Sequence, residues 1–220
     1  MSSKPRKIAV LTGDLVNSTG LGPENVERAF DALEACAEMQ ADWMDGQSLH
    51  FTRHRGDGWQ VALADPKYAL RSALCFRAAL RRLGEEFDSY IGIAEGEVEG
   101  EIGPDLNEAN GEAFMISGNL LAITKLPDRT VHMLFDAACD VGTPPAATLA
   151  CLQLLEAIFN KWTKVQAQTM LPMLSLEAPQ SYTELAEQLG KSRQSVSKTL
   201  SAADYYYVSQ ALINIEDAHA

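Results

Sequence analysis

The 220-residue sequence has little cysteine, a deficit of positive charge and no long apolar run. Its four cysteines, Cys36, Cys75, Cys139 and Cys151, stand far apart and form no Cys-x-x-Cys pair. That argues against a disulfide framework and predicts reduced thiols used as small core residues. Lys and Arg number 18 against 30 Asp and Glu, a formal net charge of -12. Non-specific affinity for nucleic acid comes mainly from basic groups on phosphate, so a general polyanion binder is excluded and any such contact must be local. No apolar stretch approaches the roughly 20 residues that cross a bilayer. Residues 1–7 are a short basic lead-in without the apolar region of a signal peptide. These absences predict a soluble cytoplasmic protein with no membrane partner. Internal repeats and low-complexity tracts are also missing.

What is present is core-forming material. With 46% apolar and 22% charged residues, the chain can build one large or two small cores and is not disordered. Residues 7–13 are a continuous apolar run closed by Gly13, as in a strand buried on both faces. From Pro23 the apolar positions Val26, Phe30, Leu33 and Ala37 recur at helical spacing, predicting a helix of about five turns. Residues 48–53 and 59–63 alternate apolar and polar around Gly56 and Gly58, the pattern of a hairpin. A second helix is expected over 66–83, with Arg71, Arg77, Arg81 and Arg82 on or near its solvated side. Strands over 89–98 and 131–135 flank a third helix at 113–121. The fold class that follows is α+β: a ferredoxin-like βαββαβ palm with one added helix and strand, followed by an all-α domain.

Composition shifts at 140–145, where glycine and two consecutive prolines mark the best linker in the chain. This divides the chain into residues 1–139 and 146–220. Helices are expected over 146–160 and 162–174, the second kinked or ended by Pro172. Ser181 and Glu184 have capping-box spacing and open a short helix closed by Gly190, while Ser192 caps a second from Arg193 to Ser201. Leu185, Ala186, Leu189, Val196 and Leu200 supply the inner face of what reads as a helix-turn-helix. Lys191, Ser192, Arg193, Gln194, Ser195 and Lys198 are then the candidates for contact with double-stranded DNA. The C-terminal part holds five Lys or Arg against seven Asp or Glu, so DNA contact would need a dimer and a focused surface. A last helix, 205–215, carries Tyr205, Val208, Leu212 and Ile215 on one side, a core stripe or a dimer seam.

Chemistry concentrates near the N-terminus. Asp14 follows the first apolar run, and Asp57 lies on the hairpin tip. Alone, the first reads as a loop residue and the second as a common turn residue. Together, on neighbouring strand ends, they could hold a divalent cation through hard oxygen ligands and, through it, a polyphosphate. The histidines His50, His54, His132 and His219 show no ligand spacing, and zinc is not indicated.

Thr12-Gly-Asp-Leu-Val-Asn-Ser-Thr19, Gly56-Asp57-Gly58 and Gly92-Ile-Ala-Glu-Gly-Glu-Val98 resemble, in order, three motifs of class III nucleotidyl cyclases. Gly111 to Leu120 falls where that family keeps its last motif. Over nearly the full length, the chain resembles the SatD family, in which such a palm is joined to a DNA-binding-like tail. The resemblance implies Mg2+ or Mn2+ held by Asp14 and Asp57 with the Leu15 carbonyl, and phosphates cradled by amides of Val16, Asn17, Ser18 and Thr19. It places Arg53 and Glu108 where adenylate-type members carry a lysine and an aspartate against the base. Where cyclases carry an asparagine and an arginine for the ribose and the transition state, this chain has Met115 and Asn119. Losing such a cation removes several kcal/mol of transition-state stabilisation, so cyclisation is expected to be severely depressed and no catalytic residue is assigned. The leading expectation is a dimeric DNA-binding regulator that responds to a nucleoside triphosphate or related nucleotide. An active metal-dependent nucleotidyl transferase and a nucleotide-blind scaffold are the alternatives.

Overall fold

Alternating burial along 6–15 governs the architecture. In the computed structural model, which describes residues 6–44, 50–54, 56–98, 100–137 and 146–219, this stretch is strand β1 (Arg6–Leu15). Ala9 and Leu11 enter one apolar core, and Ile8 and Val10 enter another, because successive side chains point to opposite faces. Strands β2 (His50–Arg53), β3 (Gly58–Leu63), β4 (Ser89–Val98) and β5 (Met133–Ala137) complete a five-stranded sheet in the order β2-β3-β1-β4-β5. β1 runs antiparallel to β3 and β4, β2 antiparallel to β3, and β5 parallel to β4. The result is a mixed sheet with β1 at its centre.

Helices cover both faces. After the one-turn α1 (Ser18–Leu21), α2 (Pro23–Gln40) and α3 (Ala69–Arg81) share the larger core with Leu11, Trp59 and Ile93. On the other face α4 (Glu112–Thr124) places Ala113 and Phe114 against Ile8, Val10 and Ala62. Its approach is close: a Cβ on Gly92 would lie 2.0 Å from the Ser117 carbonyl oxygen, so only glycine lets α4 rest there. Thr12 Oγ1 and Ser117 Oγ, 2.7 Å apart, tie the helix to β1.

Beyond residue 145 come α5 (Ala146–Phe159), α6 (Lys164–Leu174), α7 (Tyr182–Leu189), α8 (Arg193–Ala202) and α9 (Tyr205–Ala218). Phe159, Trp162, Met170, Leu174 and Leu212 join the same apolar cluster as Phe76 and Leu80 of α3. Each fully buried side chain of this kind contributes about 1.5–3 kcal/mol. The expected linker at 140–145, and Cys139, lie outside the described residues.

Some expectations need correction. The arginines of α3 do not form a solvated face: Arg77 is fully buried and Arg71 nearly so. The side expected to be wet carries α5, α6 and α9. Arg71 grips Glu216 of α9 through two bonds of 2.6 and 2.9 Å and donates to the Leu174 carbonyl of α6 at 2.9 Å. The start of that helix, 66–68, is a tighter 3-10 turn capped by Asp65, whose side chain accepts from the Lys67 amide. Pro172 lies inside α6, which ends two residues later at Leu174. Ser181 does cap α7, but Glu184 reaches the Gln180 amide rather than that of Ser181. The reciprocal capping box is at Thr163 and Gln166, which open α6.

Candidate functional site

β1 extends two residues further than its apolar run suggests, so Asp14 sits inside a strand rather than after it. It pairs with Gly58 on one side and Tyr90 on the other. Its main chain is held by the buried Ser89: the Asp14 amide donates to Ser89 Oγ at 3.1 Å, and that hydroxyl lies 2.9 Å from the Asp14 carbonyl oxygen. Trp59 Nε1 also donates to Ser89 Oγ, at 3.0 Å. The indole lies over Gly13, where a Cβ would fall 2.0 Å from its ring. The strand therefore presents Asp14 in a fixed backbone, with Gly13 admitting the tryptophan that helps to fix it.

Asp57 arrives from the hairpin, whose turn contains Gly56 at φ 86°. The Leu15 amide donates to the Asp57 carbonyl at 3.1 Å, locking the turn onto the end of β1. Ser18 Oγ donates to Asp57 Oδ2, binding the turn after β1 to the same carboxylate. The two aspartates are close enough to feel each other's charge. Burial pushes the Asp14 carboxyl above its ordinary pKa, a hydrogen bond from Lys125 opposes this, and repulsion from Asp57 adds to the rise. Lys125, at the C-terminal end of α4, places its Nζ 2.7 Å from Asp14 Oδ2.

Beside this pair is a cleft of about 600 Å3 lined by Ser18, Thr19, Gly22, Pro23, Val26, Glu27, Gly56 and Asp57. The chain enters it through Asn17 in the left-handed conformation, φ 52°, which turns the backbone directly into α1. The Val16 amide, expected to cradle a phosphate, instead donates to the Asp88 carbonyl at 2.9 Å. Asn17, Ser18 and Thr19 lead the turn beside the cleft.

Arg53 does not line this cleft. Its guanidinium pairs with both oxygens of Glu27, at 2.7 and 2.9 Å, and lies 3.7 Å from the centroid of the Phe30 ring. That ion pair lowers the pKa of Glu27 and raises that of Arg53. Glu108 lines a different cavity of about 440 Å3, with Glu101, Asp105 and Phe114 among its walls. The structure therefore brings together Asp14, Asp57, Ser18 and Thr19, with Arg53 one ion pair away and Glu108 apart. Sequence reasoning missed Lys125, Glu27 and Ser89. Glu27 reads as a first-turn helix charge, and Lys125 falls beyond a helix expected to stop at 121 but observed to run to Thr124. Met115 is exposed, as is Asn119 on the same helix.

Among the described residues no group of three or more His, Cys, Asp and Glu could hold a metal ion. The donor set at Asp14 and Asp57 is smaller, two carboxylates with a cation already resting on one of them. That fits Mg2+ or Mn2+, which take one or two carboxylates and complete their shell with phosphate oxygens and water. Asp14 and Asp57 would hold such an ion, and its charge would offset their mutual repulsion.

Similarity to solved structures is confined to part of the chain. A bacterial light-regulated adenylyl cyclase is 19% identical over 61% of this chain and 77% of its own, with a TM-score of 0.45. The guanylyl cyclase Cya2 is 20% identical over 62% of this chain and 77% of its own, with a TM-score of 0.43. At these scores the likeness is loose, and the reading of the site rests on its own geometry. No family model and no curated protein matches the chain, so the resemblance to the SatD family stands on the sequence motifs alone.

The second candidate surface is built by α7 and α8. Gly190 takes φ 62° and ends α7, and Ser192 caps α8 by accepting from the Ser195 amide at 3.1 Å. Leu185, Ala186, Val196 and Leu200 are buried, which turns Arg193, Gln194, Ser195 and Lys198 outward. Ser192 is also exposed, although its hydroxyl serves the cap. Lys191 is half-buried and reaches Thr169 Oγ1 at 3.4 Å.

One network joins this tail to the loop that follows β1. Asp88, whose carbonyl holds Val16, offers its carboxylate to Arg77 at 2.8 and 2.7 Å and to Arg81 at 2.8 Å. Arg77 continues to Asn160 Oδ1 at 3.0 Å, and Glu156 of α5 accepts from the His132 amide. Burial alone would raise the Asp88 pKa, but the charge and hydrogen bonds of Arg77, with His132, hold it well below the carboxylate range.

Proposed function

We propose that the chain is a metal- and nucleotide-responsive regulator, in which the Asp14–Asp57 site binds a metal-bound nucleotide and the α7–α8 unit binds double-stranded DNA as a helix-turn-helix. The observation that carries the nucleotide half is the convergence of Asp14 and Asp57, from separate strands, at a cleft edged by the turn through Ser18 and Thr19. A polyphosphate bridged to a divalent ion is the ligand class that suits two carboxylates beside such a turn. The order strand, helix, strand, strand, helix, strand, followed by α4 and β5, supports reading residues 1–139 as a palm of the cyclase kind. Residues 146–220 are the effector part. The shared network of Asp88, Arg77 and Asn160 supports coupling, since the loop it fixes bears on the site and the helix it fixes begins the tail. DNA half-sites read by a homodimer would lie about 34 Å apart or a multiple of that.

A thermal-shift series with ATP, GTP, CTP and UTP, each with and without Mg2+, tests the nucleotide half. Stabilisation of about 2.7 kcal/mol is expected at a hundredfold excess over the dissociation constant of the preferred nucleotide. Asp57→Ala should abolish it. A protein blind to every metal–nucleotide pair overturns the proposal and favours a scaffold.

A second reading is an active nucleotidyl transferase, favoured by the paired carboxylates. Chromatography of nucleoside triphosphates incubated with the protein and Mn2+ decides it: a cyclic or linear product that disappears in Asp57→Ala establishes turnover.

A further inference from the structure

We infer that Lys125 is a tethered cation that occupies the Asp14 side of the site in the metal-free protein and passes to the phosphates when metal binds. The inference rests on the metal–nucleotide reading of Asp14 and Asp57 and goes further by assigning a residue to the exchange.

Two carboxylates at one half-buried site repel each other, and the charge that balances them is Lys125, 2.7 Å from Asp14 Oδ2. Its placement is structural. α4 is pressed onto β4 at Gly92 and bonded to β1 through Ser117 and Thr12, so the end of the helix is fixed over the end of β1. Lys125 ends that helix, its amide donating to the Leu121 carbonyl at 3.3 Å, and a cation is favoured at a helix C-terminus. The Asp14 side chain is only 16% exposed whereas Lys125 is 46% exposed. The carboxylate is therefore held and the ammonium is free to leave on its flexible four-carbon stem.

A divalent ion brings more charge to the pair than an ammonium does and repels it. Metal binding must then displace Lys125 from Asp14, which weakens metal affinity in the absence of phosphate. Once displaced, the ammonium lies beside whatever anion the metal carries. It supplies there a positive charge that neither Met115 nor Asn119 of the same helix can supply. The assignment has a distinctive consequence: removing the charge should strengthen binding of bare metal and weaken binding of metal-bound polyphosphate.

The test compares the wild-type chain, Lys125→Met and Lys125→Arg by calorimetry and by the Mn2+ spin-resonance signal, first with Mn2+ alone and then with inorganic triphosphate at saturating Mn2+. Lys125→Met should bind Mn2+ about fivefold more tightly and triphosphate about fivefold more weakly, the size of an ion pair near a surface. Lys125→Arg should resemble wild type in both. A purely structural lysine would shift both affinities the same way, and that outcome overturns the inference, as does equal Mn2+ affinity in wild type and Lys125→Met. If neither protein binds Mn2+, the metal reading itself falls and the inference with it. Melting curves without metal establish that each variant is folded.

Discussion

At the scale of single residues, the site depends on groups that touch no ligand. Gly13 is the clearest, because a methyl group there would enter the Trp59 ring at 2.0 Å. Trp59 is fully buried between β1 and Phe76, so neither ring nor strand can yield cheaply. Gly13→Ala should cost about 1–3 kcal/mol by overpacking, read from urea denaturation, and should also weaken metal binding because Asp14 is the next residue. Asp88 makes a different point. Its folded-state pKa is depressed, so its contribution to stability is present above the unfolded value of about 4 and is lost as pH falls below it. Asp88→Asn should lower stability at pH 7 by about 3 kcal/mol, since it removes the bidentate partner of buried Arg77 and leaves it, among the described residues, only Glu156 as counter-charge, 3.7 Å away. The same variant should lose less stability than wild type on acidification below about pH 4. A parallel acid limb in both proteins would show that Asp88 is not the titrating group. Cys36 and Cys75 are inert for a related reason: burial pushes the Cys36 thiol up to about 12 and Cys75 well above its ordinary value. Neither should react with a thiol reagent until the protein unfolds.

At the scale of elements, the local patterns were legible and the packing between distant segments was not. The strand expected at 89–98 and the five-turn helix from Pro23 have those limits in the structure, because period-two and period-3.6 burial is written into contiguous residues. Asp14 and Asp57 were also readable as a pair, since strand order follows from the succession of elements. The environment of α3 was not readable. Its arginines look solvated along one helix, and only α5, α6 and α9, more than sixty residues later, bury them. Lys125 escaped for the same reason: its partner Asp14 is 111 positions away. This hidden packing is where the proposed coupling between the site and the tail would run. If the network of Asp88, Arg77 and Asn160 transmits it, Asn160→Ala should leave metal affinity within about twofold. It should also reduce, by a similar or larger factor, the effect of nucleotide on DNA binding, since coupling energies of this kind are about 1–3 kcal/mol. A variant with unaltered coupling would remove the network from the mechanism.

At the scale of the whole molecule, charge sets what the proposed DNA contact can be. The chain carries a net charge of -12, so a duplex is repelled by most of its surface and attracted only by a small part. On the α7–α8 unit that part is Lys191, Arg193 and Lys198, and Lys191 is half-buried beside Thr169. Affinity for DNA should therefore be modest and its salt dependence shallow. Three phosphate contacts per copy give a slope of log affinity against log salt of roughly -3, and a dimer on two half-sites roughly -5. Fluorescence anisotropy with a pool of random duplexes, between low and physiological salt, measures the slope directly. Arg193→Ala should reduce its magnitude by about one per copy if that residue contacts phosphate. Substitution of the exposed Lys7, on β1 outside the tail, should leave the slope unchanged. A slope unaffected by Arg193 but reduced by lysines elsewhere would move the DNA surface away from α8. No measurable binding at low salt, where attraction to phosphate is strongest, would leave α7 and α8 as a protein-contact surface.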